Sequence, residues 1–235
     1  MKKLTPPDTP TITSYRRIRK SIGTMGAGLP WMLVGLSGIH FFGTEVQPSI
    51  SDYYYTNFRE LFTGTLCAVS LFLIRYVGYK DHVFWKNDNL MTNIAGVMAL
   101  GVALFPTKPD DYTRKIYTII PLSYDWLAWL HYGFAAVFFI ILANMSINVF
   151  TIGQQKNKNI PLSIVNENNI YRTCGYTIYA CLVCIPIFAY YKLITNSTLL
   201  FETIALNAFG IAWLIKGRAL GDKGRIGRMV YREEN

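Results

Sequence analysis

Six long apolar runs, parted by short polar stretches, make up most of the chain. They fall at about residues 25–42, 59–76, 90–105, 125–150, 172–192 and 199–215. An α-helix needs about 20 mainly apolar residues to cross a bilayer, and these runs are of that order. The pattern predicts an all-α polytopic integral membrane protein, a bundle of six transmembrane helices. Pro30 sits near the start of the first run, where a helix tolerates it. Gly35 and Gly38 in the same run would let another helix come close. Pro106 ends the third run, and Pro186 predicts a kink in the fifth. The fourth run is longer than a bilayer requires, which predicts tilt or protrusion. The expected organisation is a basic arm over residues 1–24, a transmembrane domain over 25–216 and a basic tail over 217–235. No tandem domain or internal repeat is visible.

Charge sets the orientation. Of the 23 Lys and Arg residues, eighteen lie in the arm, the loops at 75–89 and 151–172, and the tail from Lys216. Only five lie on the other side: Arg59, Lys108, Arg114, Lys115 and Lys192. The positive-inside rule then places both termini in the cytoplasm. Tyr53, Tyr54, Tyr55, Tyr124, Trp126, Trp129, Tyr190 and Tyr191 fall near the outer boundaries, as an interfacial aromatic belt would. Only 16% of the residues are charged, against about 25% in a soluble domain. The net charge of +9 is accounted for by cytoplasmic loops, and no basic patch interleaved with aromatics points to nucleic acid. No secretory leader is evident. Cys67, Cys174, Cys181 and Cys184 all lie in apolar runs, which argues against a disulfide framework. Cys181 and Cys184 have thiol-motif spacing but no charge beside them to activate a thiol, so packing is the expected role.

The chemistry-bearing residues gather at the outer ends of the runs. The stretch SISDYYYTNFRELFTG, from Ser49 to Gly64, is dense in hydroxyls and charge. It offers Ser49, Ser51, Asp52, Arg59 and Glu60. His40 lies at the outer end of the first run, Asp125 and His131 at that of the fourth, and Glu202 near that of the sixth. A charge buried in lipid costs about 2.5–3.5 kcal/mol even on the lenient scale, so such residues turn inward and find partners. The expected pairings are Arg59 with Glu60 or Glu202, and His131 with Asp125 or Glu202. Asp125 and His131 do not share a helix face. These residues define an outward-facing polar pocket for a headgroup, an ion or a proton. The plainer reading is a set of solvated anchors at helix ends. His40, Asp52, His131 and Glu202 could together hold a divalent metal, but they lack any ligand spacing, and neither a metal nor another cofactor is expected. Ser49 or Ser51 could act as a nucleophile with His40 or His131 as base, although no Gly-x-Ser-x-Gly elbow surrounds them. Asn93, Asn144, Asn148 and Asn207 lie deeper and are read as polar packing between helices, with a water-filled path as the alternative for Asn144 and Asn148. The glycines of the tail alternate with Lys and Arg, which suits contact with anionic lipid rather than a phosphate loop.

Three segments carry a family resemblance: SIS-D after the first run, ALFPTKPD closing the third, and LHYGFAAVFFIILA within the fourth. Over roughly residues 30–215 the chain resembles bacterial six-helix proteins of the domain-of-unknown-function 998 family, itself similar to the eukaryotic Frag1/DRAM/Sfk1 membrane proteins. The resemblance implies six helices and a bacterial inner (plasma) membrane, and it implies no activity. The positions it carries over are Ser49, Ser51, Phe105, Pro106 and His131. Three functional readings follow. The first is a non-enzymatic protein that binds a lipid headgroup or conducts a small ion or solute through the outer cluster, as a homo-oligomer. The second is an intramembrane enzyme acting on lipid through a His/carboxylate set. The third is a membrane subunit whose basic cytoplasmic face docks a soluble partner. Membrane lipids are partners in all three.

Overall fold

A computed structural model describes residues 9–78, 81–108, 118–120, 126–152, 165–221 and 225–231. Among these residues there is no strand. The long helices are α1 (Thr9–Ser37), α2 (Arg59–Arg75), α3 (Asp88–Leu104), α4 (Trp126–Asn144, prolonged by a π-turn over Met145–Val149), α5 (Glu167–Tyr191) and α6 (Ser197–Lys216). A short α7 (Arg225–Tyr231) follows. Each long helix covers one of the apolar runs. Asn87 and Asn166 cap α3 and α5 by accepting the Leu90 and Asn169 N–H groups, which satisfies donors that a helix start leaves open. Pro186 lies inside α5, as expected.

The largest departure is at the start. α1 begins at Thr9, so the basic segment Arg16–Lys20 is continuous with the first apolar run. Pro30 therefore lies well inside the helix. The reason is a stripe of apolar residues that extends below the run: Tyr15, Ile18, Ile22, Met25, Leu29 and Leu33 recur at three- and four-residue spacing and pack into the core. The tail is not wholly free either. Val230 and Tyr231 of α7 are buried, and the Arg218 guanidinium sits 4.4 Å from the Tyr231 ring centre.

Helices neighbouring in sequence pack side by side, and α6 closes the ring against α1. The closure depends on two glycines. A Cβ on Gly210 would lie 2.6 Å from Gly23 O and 2.8 Å from Ala27 N, and one on Gly23 would lie 2.8 Å from Gly210 O. Backbone therefore meets backbone here, as at small-residue crossings in membranes. Gly35 and Gly38 do not serve this purpose: a Cβ on Gly35 would meet nothing within 4 Å, and one on Gly38 only Gly35 O. Trp31 Nε1 also donates to Asn207 Oδ1 at 3.0 Å across the α1–α6 seam. Trp213 forms the centre of the core at one end, with edge-to-face contacts to Tyr76, Phe150 and Phe209.

Three helical segments are long and apolar enough to cross a membrane: Trp126–Val149, Glu167–Tyr191 and Ser197–Lys216. α3 is apolar but shorter. The outer surface of the bundle is apolar on every long helix. Trp31, Leu71, Val97, Trp129, Val183 and Ile211 are all exposed. A soluble bundle would place polar residues there, so this surface points to a membrane protein. Trp126, Trp129, Tyr190 and Tyr191 are exposed at one end of the ring, as a belt requires, whereas Tyr53 and Tyr54 are buried. The latter two belong to the core and not to the belt. Asp125 and Tyr124 lie outside the described residues.

Candidate functional site

The segment between α1 and α2 does not skirt the bundle. It folds into its end. Ser49 starts the inward turn: its Oγ donates to Asp52 Oδ2 at 2.7 Å and accepts from the Asp52 N–H at 3.1 Å. That exchange favours a tight turn over Ser51–Tyr55, which is a 3-10 helix. The Gln47 N–H donates to the buried Tyr53 hydroxyl, which lies 3.0 Å from Ser37 Oγ at the end of α1.

From this segment, backbone groups reach α6 and side chains reach the end of α3 and α4. The Leu199 N–H donates to Pro48 O at 2.9 Å, which brings the start of α6 against the turn. Glu202, one turn further along α6, accepts the Ile50 N–H at Oε2 at 2.6 Å. Thr107, just past α3, donates through Oγ1 to Asp52 Oδ1 at 3.4 Å. Tyr55 donates to the Thr107 carbonyl. Burial is the main cause that pushes the Tyr55 phenol above its usual range, so it stays a donor.

His131 of α4 completes the cluster. Its Nδ1 lies 2.6 Å from Phe105 O and its Nε2 lies 2.8 Å from Ser51 Oγ. A carbonyl only accepts, so Nδ1 carries the proton in that bond. In the neutral ring Nε2 is then the acceptor, and Ser51 O–H donates to it. Both His131 and Ser51 are buried, at 2% and 8% exposure. The chain Phe105 O, His131, Ser51 has the order of an orienting acceptor, a base and a hydroxyl.

Beneath the turn lies a cavity of about 40 Å³. Ser51 and Glu202 are its polar wall, and Leu29, Phe62, Phe138 and Leu206 are among its apolar lining. Glu202 is half-buried. The Ile50 N–H is its hydrogen-bond partner among the described residues.

The other expected residues are placed differently. Arg59 turns back on the segment: its Nε donates to Tyr54 O at 2.9 Å and its guanidinium lies 4.4 Å from the Tyr54 ring centre. Among the described contacts it meets Tyr54 and neither Glu60 nor Glu202. Glu60 and His40 are exposed. His131 pairs with Ser51 and not with Glu202. Among the described residues no group of three His, Cys, Asp or Glu side chains is gathered as metal ligands would be. Asn207 joins α1 to α6 through Trp31, and Asn144 donates to Trp85 O at 3.1 Å and accepts from Asn148 Nδ2 at 2.7 Å. Asn93 bonds within its own helix, to Asn89 O. Asn207 therefore joins two helices, while Asn144 and Asn148 also line a cavity of about 410 Å³ beside Trp85 and Tyr179. Cys174 and Cys181 are buried, Cys67 and Cys184 half-buried, and all four are free thiols.

Thr107 and Tyr55 were not among the residues expected at this site, and Phe105 was named only through the family resemblance, without its carbonyl's role. A carbonyl leaves no trace in sequence. The only available signal for Thr107 was its place directly after Pro106, where α3 has ended and the chain must turn. A scan of protein-family models, a search of curated proteins and a search of solved structures each return no match for this chain.

Proposed function

We propose that the chain is a six-span membrane protein, with both termini cytoplasmic, whose outward-facing site binds the head of a membrane lipid. The observation that carries this reading is the cavity under the 49–55 turn, polar at Glu202 and Ser51 and apolar below. Ion conduction through one copy fits less well. Past Glu202 the cavity wall is Leu29, Phe62, Phe138 and Leu206, and a conducted ion needs polar groups to replace its water. The Glu202 carboxylate in the cavity wall favours a head that brings donors, an ammonium or hydroxyl group, because a carboxylate in low dielectric gains most from a donor or cation. The cavity has room for such a group, since a single water needs about 10–15 Å³ by this measure. Orientation rests on the Lys and Arg count. The proposed resemblance to the domain-of-unknown-function 998 proteins supports the same place, for Ser51, Phe105 and His131 are joined in one hydrogen-bond chain and Ser49 and Pro106 adjoin it. An oligomer is not needed for this site.

The test is lipid retention by purified protein, read by native mass spectrometry. Glu202→Gln keeps the shape and the contact with Ile50 but removes the charge. It should lower retention of amine- or hydroxyl-bearing lipids about tenfold, the usual worth of one charge-assisted bond. Equal retention by wild type and variant would remove Glu202 from the site.

One observation favours a second reading, a lipid-acting hydrolase: the Ser51–His131–Phe105 chain has the order that activates a hydroxyl. An alkyl fluorophosphonate should then react at Ser51. The Oγ–P bond forms, fluoride leaves and the hydroxyl proton passes to His131 Nε2. Wild type would be labelled and His131→Ala would not. No label on folded wild type would leave lipid binding as the sole reading.

A further inference from the structure

A second polar cavity lies at the opposite end of the bundle, and it is larger, at about 340 Å³. That is within the usual range of small-molecule sites, about 300–1,000 Å³. Its polar lining comes from four elements: Arg19 on α1, Tyr76 just after α2, Asp88 at the start of α3 and Lys216 at the end of α6. Tyr15 and Ile152 are also in its wall.

The polar groups are locked to one another. Arg19 donates through Nε and Nη2 to the Tyr76 hydroxyl at 3.2 and 2.7 Å. Tyr76 donates to Asp88 Oδ2 at 3.0 Å. Burial, with the Asp88 carboxylate next in weight, pushes the Tyr76 phenol above its usual range and keeps the proton on it. Arg19 Nη1 donates to Lys216 O at 3.4 Å, and Lys216 Nζ donates to Phe150 O at 2.9 Å. The ammonium also lies 5.4 and 5.6 Å from the ring centres of Phe150 and Tyr171. These rings hold the side chain against the bundle.

The donors exceed the acceptors. A guanidinium has five N–H groups and an ammonium three. Among the described residues Arg19 places three of its N–H groups and Lys216 one. Four N–H groups on two cations are left for another acceptor. Asp88 and Glu167 both act on the Lys216 charge; the Asp88 Oδ2 accepts from Tyr76, and its place in the first turn of α3 is one that the helix dipole already stabilises. Two cations at the polar end of a membrane bundle, held before a cavity with surplus donors, suit a ligand with several acceptor oxygens.

We propose that this cavity binds a phosphate group. Its source is either the headgroup of an anionic lipid or a free phosphate compound, since both present the same oxygens. The site is separate from the one under the 49–55 turn and stands or falls independently of it.

The experiment uses the full chain. Retention of phosphatidylglycerol against phosphatidylcholine is measured by native mass spectrometry, and the thermal midpoint is measured with and without inorganic phosphate. Wild type should prefer the anionic lipid, gain stability from phosphate, or do both. Lys216→Gln keeps a donor for Phe150 O but removes the charge, and should reduce the effect about tenfold. Ile152→Trp narrows the cavity from an exposed wall position and should do the same with every charge retained. Arg17→Gln, an exposed cation on the same helix, should change nothing. A response to lipid alone assigns the lipid source, and a response to phosphate alone assigns a soluble one. No response in folded wild type overturns the proposal. So does a response that survives Ile152→Trp, a result that holds even if Lys216→Gln fails to fold.

Discussion

Gly210→Leu is expected to prevent the helix ring from closing. The Cβ alone would lie 2.5 Å from Ala27 Cβ and 2.6 Å from Gly23 O. The second of these is backbone in the facing helix, so no rotamer change relieves it, and the added isobutyl group has nowhere to go. Overpacking a well-filled site costs about 1–3 kcal/mol when side chains can shift. Here α1 and α6 must separate, which also breaks the Trp31–Asn207 bond, so the loss should exceed that range. The check is the yield of monodisperse protein in mild detergent and its thermal midpoint. Gly35→Leu is the control, since a Cβ there meets no atom within 4 Å. Normal folding of Gly210→Leu, or collapse of Gly35→Leu, would contradict the packing described.

His131→Ala should give the next largest loss. The ring joins α4 to the end of α3 through Phe105 O and to the 49–55 turn through Ser51 Oγ. Truncation leaves both groups buried without their partner, at about 1–3 kcal/mol each, and opens a cavity besides. A total of about 3–5 kcal/mol is expected from these contributions together. Ser51→Ala removes one of the two bonds and should cost less. Because the two residues share that bond, the double variant should lose less than the sum of the singles. Additive losses in thermal or chemical unfolding would show that the pair is not coupled.

Most of the helix ends could be read from the apolar runs. α2 was expected over residues 59–76 and spans Arg59–Arg75, and α6 was expected over 199–215 and spans Ser197–Lys216. Such runs are sharp because lipid and loop demand opposite side chains. The start of α1 was not legible by that rule. Arg16, Arg17, Arg19 and Lys20 are good helix formers, and only the spacing of Tyr15, Ile18 and Ile22 marked the helix as continuing through them. At the candidate site, topology alone brought Ser51, Asp52, His131 and Glu202 to one end of the bundle. It could not choose their partners. The Phe105 carbonyl and the Ser51 hydroxyl took the role at His131 that a carboxylate was expected to fill, because the end of α3 and the inward-folded segment supply polar groups at close range. The phosphate cavity was missed for a different reason. Arg19 and Lys216 were already explained as cytoplasmic charge, and nothing about either residue alone shows that its side chain turns inward to meet Tyr76 and Phe150.

The central claim is that Ile50, Ser51 and Glu202 wall a pocket occupied by the head of a lipid. The direct measurement is photolabelling in a membrane with a lipid that carries a diazirine beside an amine-bearing head, followed by mapping of the modified residues by mass spectrometry. The account predicts adducts at Glu202 and on the 49–55 turn, reduced by an excess of the unlabelled lipid and by Glu202→Gln. Adducts confined to exposed faces such as those of Trp129, Val183 and Tyr190, unchanged by competitor, would show that lipid surrounds this bundle without entering it.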